Sequence, residues 1–171
     1  DGCPSSSAYQ HRFGSLLRCY SLIGYTPDRD YQYIEANRRL RDMHPLVLEQ
    51  TIAKIAEVGG RVDVDPTTDL MQVNQELLVS LVLCRCQISP SGSKRWKIRF
   101  DIGLSPDITI AVRMTPGESA ALDYYILPTV DMNAPHLRLA ESNQSSLEIY
   151  RFDTLNILAE LSRRAVYRRA A

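Results

Sequence analysis

The sequence predicts an α+β fold: a mostly antiparallel sheet of five to six strands, flanked by helices and preceded by a helical hairpin. Three observations predict it. Residues 77–88, LLVSLVLCRCQI, are the longest apolar run and are apolar on both alternating faces until Arg85 and Gln87, as in a strand buried on both sides; a buried helix segment is the competing reading, and the valines, the polar turn at 89–93 and the alternation that follows favour the strand. Residues 95–101 alternate most regularly, with Trp96, Ile98 and Phe100 on one side and Arg95, Lys97 and Arg99 on the other. Stripes of helical spacing bracket the strands, Leu48, Ile52 and Ile55 before them and Leu155, Leu158, Leu161 and Ala165 after.

In chain order, Ser6 or Ser7 is expected to cap a short helix carrying Tyr9 and Phe13, and Ser15 a second with Leu16, Tyr20 and Ile23 on one face. Gly14 makes the connection and Gly24 the stop. A turn around Pro27 separates this appendage, residues 1–26, from an α+β domain, residues 27–171. Residues 31–43 read as helical with a mixed-charge solvated face. A separate helix is expected over 45–58, with Pro45 in its first turn, His44 in the cap region and Gly59-Gly60 as its end.

Short strands at 61–65 and 69–74 lead into 77–88, the expected central strand, and a polar turn at 89–93 leads to the strand at 95–101. Residues 107–114 alternate again, with Ile108, Ile110, Val112 and Met114 inward and Thr109 and Arg113 outward. After Pro116-Gly117, residues 121–128 form another strand, whose Leu127-Pro128 end suits an edge or a terminus. Residues 132–146 read as loop. Asp153 then caps the last helix, where Arg163, Arg164, Arg168 and Arg169 complement the helix dipole.

The 171 residues suffice for one well-packed domain with a small appendage, and 44% apolar with 23% charged residues are ordinary globular values, so disorder is not the main theme. With 20 basic and 20 acidic side chains there is no whole-molecule field toward nucleic acid or membrane, so such a partner needs a local patch. No run of 18 apolar residues and no basic-then-apolar leader is present, and the start at Asp1-Gly2 suggests a piece of a longer protein. Cys3, Cys19, Cys84 and Cys86 show no zinc spacing; Cys84 and Cys86 point to one face of one strand, and reduced thiols in a cytoplasmic protein are expected.

The chemistry of an enzyme is mostly missing. A helix, a run of strands and a closing helix resemble a restriction-endonuclease-like core, in degenerate form. Such enzymes place an Asp on one strand and an acidic-x-Lys pair on the next, because carboxylates must hold Mg²⁺. Asp69 suits the first acid, but the second falls in Leu83-Cys84-Arg85, where there is no carboxylate. Pro106-Asp107 is another "PD" whose following strand lacks acids and lysine, and Glu76, Asp101 and Asp123 stand unassigned at strand ends. With no Gly-x-Ser-x-Gly, no phosphate-binding glycine loop, and only His11, His44 and His136, no catalytic residue, metal or cofactor is assigned.

Two stretches suit nucleic acid. Lys94, Arg95, Lys97 and Arg99 put four cations within six residues, able to follow a phosphate backbone, or else to pair with carboxylates such as Asp63 or Asp123 on adjacent strands. The pattern Pro-Ser-x-Ser-x-Tyr-x-x-Arg-Phe-Gly-Ser over residues 4–25, with its Leu-rich second helix, resembles the short repeat found beside homing endonucleases. That resemblance implies Ser7, Gln10, His11 and Arg12 at a helix start facing DNA, with Arg18 on a phosphate. The alternative is a hairpin whose Tyr9, Phe13 and Tyr20 merely pack.

The phrases RFGSLLRCYSLIGYTPDRDYQYIEANRRLR, RWKIRFDIGLSPDITIAVRM, DYYILP and LRLAESN…YRFDTL resemble the C-terminal region of large bacterial serine recombinases of the resolvase/invertase family. In that family the nucleophilic serine belongs to an N-terminal catalytic domain that this chain does not resemble. The resemblance therefore implies a non-catalytic DNA-binding or assembly domain of a site-specific recombinase, with duplex DNA as partner and a homo-oligomer compatible. A divergent metal-dependent nuclease and a protein-interaction or dimerisation domain are the alternatives.

Overall fold

The computed structural model describes residues 5–14, 16–24, 32–100 and 103–164. Two compact units divide between Asn37 and Arg38. The first contains the expected helical hairpin, α1 (Ser6–Phe13) and α2 (Leu16–Leu22). Ala8 and Tyr9 donate to the Ser5 carbonyl, so α1 starts one residue earlier than a cap at Ser6 would set. Tyr9 and Phe13 stack, 6.4 Å between centroids, and Gly14 turns the chain at φ 82°, a left-handed conformation that favours glycine. Ile23 lies beyond the end of α2 and is exposed, so it leaves the face expected with Leu16 and Tyr20. The Ser15 cap and the turn around Pro27 lie outside the described residues.

The next helix, α3 (Gln32–Glu57), is single where two were expected, with Pro45 in its interior. Proline there removes a hydrogen bond to the preceding turn, at a cost of about 3 kcal/mol. Packing offsets that cost: Leu40 and Met43 before the proline, and Val47, Leu48, Ile52 and Ile55 after it, join one hydrophobic core. His44 is thus a mid-helix residue, and its Nε2 lies 3.0 Å from the Leu81 carbonyl.

The remaining elements are β1 (Val62–Val64), β2 (Met71–Val73), β3 (Leu77–Cys84), β4 (Cys86–Ile88), β5 (Lys94–Arg99), β6 (Ile108–Met114), β7 (Ala121–Pro128), β8 (His136–Ala140), α4 (Ser145–Glu148), β9 (Arg151–Phe152) and α5 (Asn156–Ser162). They make two sheets, six strands in the order β1-β2-β3-β6-β7-β9 and three in the order β4-β5-β8. Every pairing is antiparallel except β3 with β6. That parallel pair is started by Asp107, whose N–H donates to the Leu78 carbonyl and whose carboxylate accepts from the Leu78 N–H, both at 2.7 Å.

The apolar run of 77–88 is not one strand. It breaks at Arg85, so that β3 lies in the large sheet and β4 in the small one, with Cys84 and Cys86 in different strands. Both thiols nevertheless enter the same core. Arg85 sits at the corner 3.7 Å from Glu118, a buried carboxylate that also accepts from Arg39 at 3.1 Å.

The small sheet covers the face of the large sheet opposite α3 and α5. This corrects the outward placement of Thr109 and Arg113: each is 1% exposed, because β6 is covered on both faces. The expected loop at 132–146 also contains β8, whose short alternation is hidden between Asn, Pro and Ser neighbours. In α5 the chain enters through Leu155 without a side-chain cap from Asp153. The buried positions are Leu155, Leu158, Ala159 and Ser162, whereas Leu161 is exposed; Ala165, Arg168 and Arg169 lie outside the described residues.

One buried network joins the sheets. Arg113 donates from Nε to Asp123 Oδ1 at 2.6 Å, from Nη2 to Asp123 Oδ2 at 2.5 Å, and from Nη1 to the Ala140 carbonyl of β8. The guanidinium also lies over the Trp96 ring, 4.5 Å from its centroid, while Trp96 Nε1 donates to the Met114 carbonyl at 2.8 Å. Arg151 adds a second cation to Asp123 at 2.9 Å. Partial burial pushes the neighbouring Glu148 carboxyl up, but hydrogen bonds from Asn143, Arg151 and Tyr125 outweigh this and hold it at about 2.

Two stability predictions result. Asp123→Ala strands the buried guanidinium and is expected to lower unfolding free energy by about 3–5 kcal/mol, read by urea denaturation. Pro45→Ala, at an exposed helical position, should raise stability by about 1–3 kcal/mol in the same assay. An unchanged midpoint for Pro45→Ala would contradict the continuous helix.

Candidate nucleic-acid interface

The small sheet presents its charges by strand alternation. In β5, Trp96 and Ile98 are fully buried, which turns Arg95, Lys97 and Arg99 to the opposite, exposed face. The antiparallel register with β8 sets Lys97 opposite Arg138 and Arg99 opposite His136, with Arg138 and His136 both exposed. On the other side Gln87 of β4 stands opposite Arg95. Directly opposed side chains are about 5 Å apart and successive ones on a strand about 7 Å, so four permanent cations and one imidazole occupy a compact patch.

Among the described residues no carboxylate forms an ion pair with Arg95, Lys97, Arg99 or Arg138. The two carboxylates expected to neutralise the stripe are placed elsewhere. Asp63 is on β1 of the other sheet, and Asp123 is buried against Arg113 and Arg151. Like charges directly opposed across a ladder are destabilising, so Lys97 and Arg138 carry an unfavourable interaction that an approaching anion relieves.

Lys94 has the parity of Trp96 and donates to Glu141 at 2.7 Å. That hydrogen bond raises the lysine and lowers the glutamate from their ordinary values. It therefore stands apart from the stripe, while Arg138 and His136 join it. The signal for those two was the alternation His136-Leu137-Arg138-Leu139, legible once a partner strand is known.

In the first unit, Ser7 lies in the first turn of α1, while His11 and Arg12 lie in its last turn and not at a helix start. Ser7, His11, Arg12 and Arg18 are exposed; the side chain of Gln10 lies outside the described ones. Arg12 lies 5.9 Å from the centroid of the Phe13 ring.

The acids considered for metal binding are dispersed. Asp69 is in a turn with φ 57°, exposed, 3.9 Å from His44; Glu76 pairs with Arg164; Asp107 caps the parallel strand pair. Asp101 lies outside the described residues. Among the described residues no three His, Cys, Asp or Glu side chains are grouped to hold a metal ion. No described helix is long and apolar enough to cross a membrane.

No protein-family model matches the chain, and no curated protein matches it. The solved structure of a bacterial homing endonuclease, I-Ssp6803I, shares 14% identity at a TM-score of 0.39, over 68% of this chain and 88% of that one. At that level the likeness supports no inference about this chain.

The buried thiols are tested directly. Burial pushes Cys84 up to about 12 and raises Cys86 as well, so both stay protonated near neutrality. At pH 8 a maleimide is expected to leave both unlabelled in the native protein and to label both in urea, read by mass spectrometry of peptides.

Proposed function

We propose that this chain is a non-catalytic module that binds duplex DNA through the exposed face of the β4-β5-β8 sheet. The observation that carries the reading is the pairing of Lys97 with Arg138, flanked by Arg95 and Arg99, with no carboxylate in ion-pair contact with any of the four among the described residues; Glu141, bonded to Lys94, acts on Arg95 only at longer range. Such a patch follows phosphates by charge and releases their counterions, which makes binding steeply salt-dependent despite zero net charge. Backbone contacts of this kind position a protein on DNA without reading its sequence.

Within this reading, Ser7, Gln10, His11, Arg12 and Arg18 supply a second contact from the first unit. What supports them is the short-repeat resemblance and the exposure of Ser7, His11, Arg12 and Arg18. The finer assignment, an accessory domain of a site-specific recombinase, rests on the resemblance of the sequence phrases alone.

Fluorescence anisotropy with a duplex of about 25 base pairs, at several salt concentrations, tests the proposal. Lys97→Ala, Arg99→Ala and Arg138→Ala are each expected to weaken binding and to reduce the log-affinity against log-salt slope by about 0.9. Lys94→Ala is expected to change it less, because Glu141 already neutralises that lysine. A triple variant that binds like the parent would remove the sheet face as the DNA surface; unchanged binding by Arg12→Ala and Arg18→Ala would remove the first unit.

A further inference from the structure

The two sheets of the second unit share one core between them. They are joined where β3 passes into β4, and there Trp96, Arg113 and Ala140 fill the space between them. At the opposite end, between the start of β6 and the start of β8, lies a cavity of about 230 Å³ lined by Phe100, Thr109, Met132, Asn133 and Pro135, among others. A second hollow of about 300 Å³ shares Phe100, Met132 and Asn133 with it and reaches His136. His136 stands opposite Arg99 at the end of the basic face. The cavity is thus continuous with a hollow that reaches Asp131 and His136, and His136 is the strand partner of the last cation of the proposed phosphate track.

Its chemistry is that of a slot for a flat, polar-edged ring. Phe100, Met132 and Pro135 supply ring and aliphatic surface, and Asn133 on the rim offers both a donor and an acceptor. At its inner wall Thr109 is only 1% exposed, and its hydroxyl has no hydrogen-bond partner among the described residues. A buried hydroxyl without a partner is an uncommon arrangement, which an ordered water or the edge of a ligand would satisfy. The cavity falls below the roughly 300–1,000 Å³ of drug-sized sites, which suits a single heteroaromatic unit.

We propose that this cavity receives one unstacked nucleobase of the DNA strand whose phosphates lie on Arg95, Lys97 and Arg99. The base stacks on Phe100, its edge meets the Thr109 hydroxyl and the Asn133 amide, and its own phosphate stays beside Arg99 and His136. The inference rests on the DNA-binding reading above and adds a substrate preference to it: unpaired or extrudable bases over a uniformly paired duplex. Extrusion is least costly where a base has no partner, which makes the preference measurable.

The test uses the full chain and three oligonucleotides carrying 2-aminopurine: in a matched duplex, in a duplex opposite an abasic site, and in a single strand. The expected result is about tenfold tighter binding of the abasic-opposed duplex than of the matched one, with a change in 2-aminopurine emission on binding. Phe100→Leu and the near-isosteric Thr109→Val should abolish the preference and the emission change while leaving matched-duplex affinity within about twofold. Lys97→Ala should weaken all three substrates alike. Equal affinity for matched and abasic-opposed duplexes without an emission change overturns the base slot and leaves the basic face standing. No binding of any substrate at low salt overturns both. A single strand bound as tightly as the abasic-opposed duplex supports the slot and shows that the second strand adds nothing to it.

Discussion

The guanidinium of Arg113 is held between the two sheets by a bidentate bond to Asp123, by the Ala140 carbonyl and by the face of Trp96. Removing two charges from water costs several kcal/mol per ion, and only near-complete hydrogen bonding makes the arrangement tolerable. Here β6 supplies the cation, β7 the anion, β8 a carbonyl and β9 a second cation through Arg151. The geometry that satisfies Arg113 is thus one in which the small sheet is seated in one place against the large one. An apolar contact of equal area would tolerate sliding; this one does not.

That seating gives the small sheet its two-sided character. Trp96 and Ile98 are pulled inward to cover Arg113 and Tyr125, and alternation then obliges Arg95, Lys97 and Arg99 to face outward. The same fixed register brings Arg138 and His136 alongside them. At the Thr109 end of the second unit lies a cavity lined by Phe100, Met132 and Pro135, and the hollow next to it reaches His136, the strand partner of Arg99. The charged outer face of the small sheet is a consequence of that anchored contact.

Much of the local structure was legible along the chain. The alternation of 95–101 located β5 and its buried and basic faces, residues 121–128 match β7, and the spacing around Gly14 located the first two helices. The failures share a cause. Pro45 was read as a helix start because proline disfavours helix interiors, yet apolar packing on both sides of it carries the helix through. Arg113 reads as outward because a charged residue in an alternating strand ordinarily meets water, yet the second sheet covers it. The candidate surface is legible in Arg95, Lys97 and Arg99, but not in Arg138, which lies 41 residues from Lys97 (138 − 97) and is brought opposite it by strand pairing.

Periodicity is a property of neighbours in sequence, and it is enough to locate β5 and to say which of its faces is apolar, but not to find β8 within 132–146. Which strands pair, and whether a face meets water or another sheet, depends on contacts between distant residues. A run such as LLVSLVLCRCQI is equally apolar whether it continues as one strand or bends at Arg85 to seed a second sheet. The bend emerges only when Glu118, 33 residues later (118 − 85), approaches the arginine, and when Asp123 and Ala140 make burial of Arg113 less costly than its exposure.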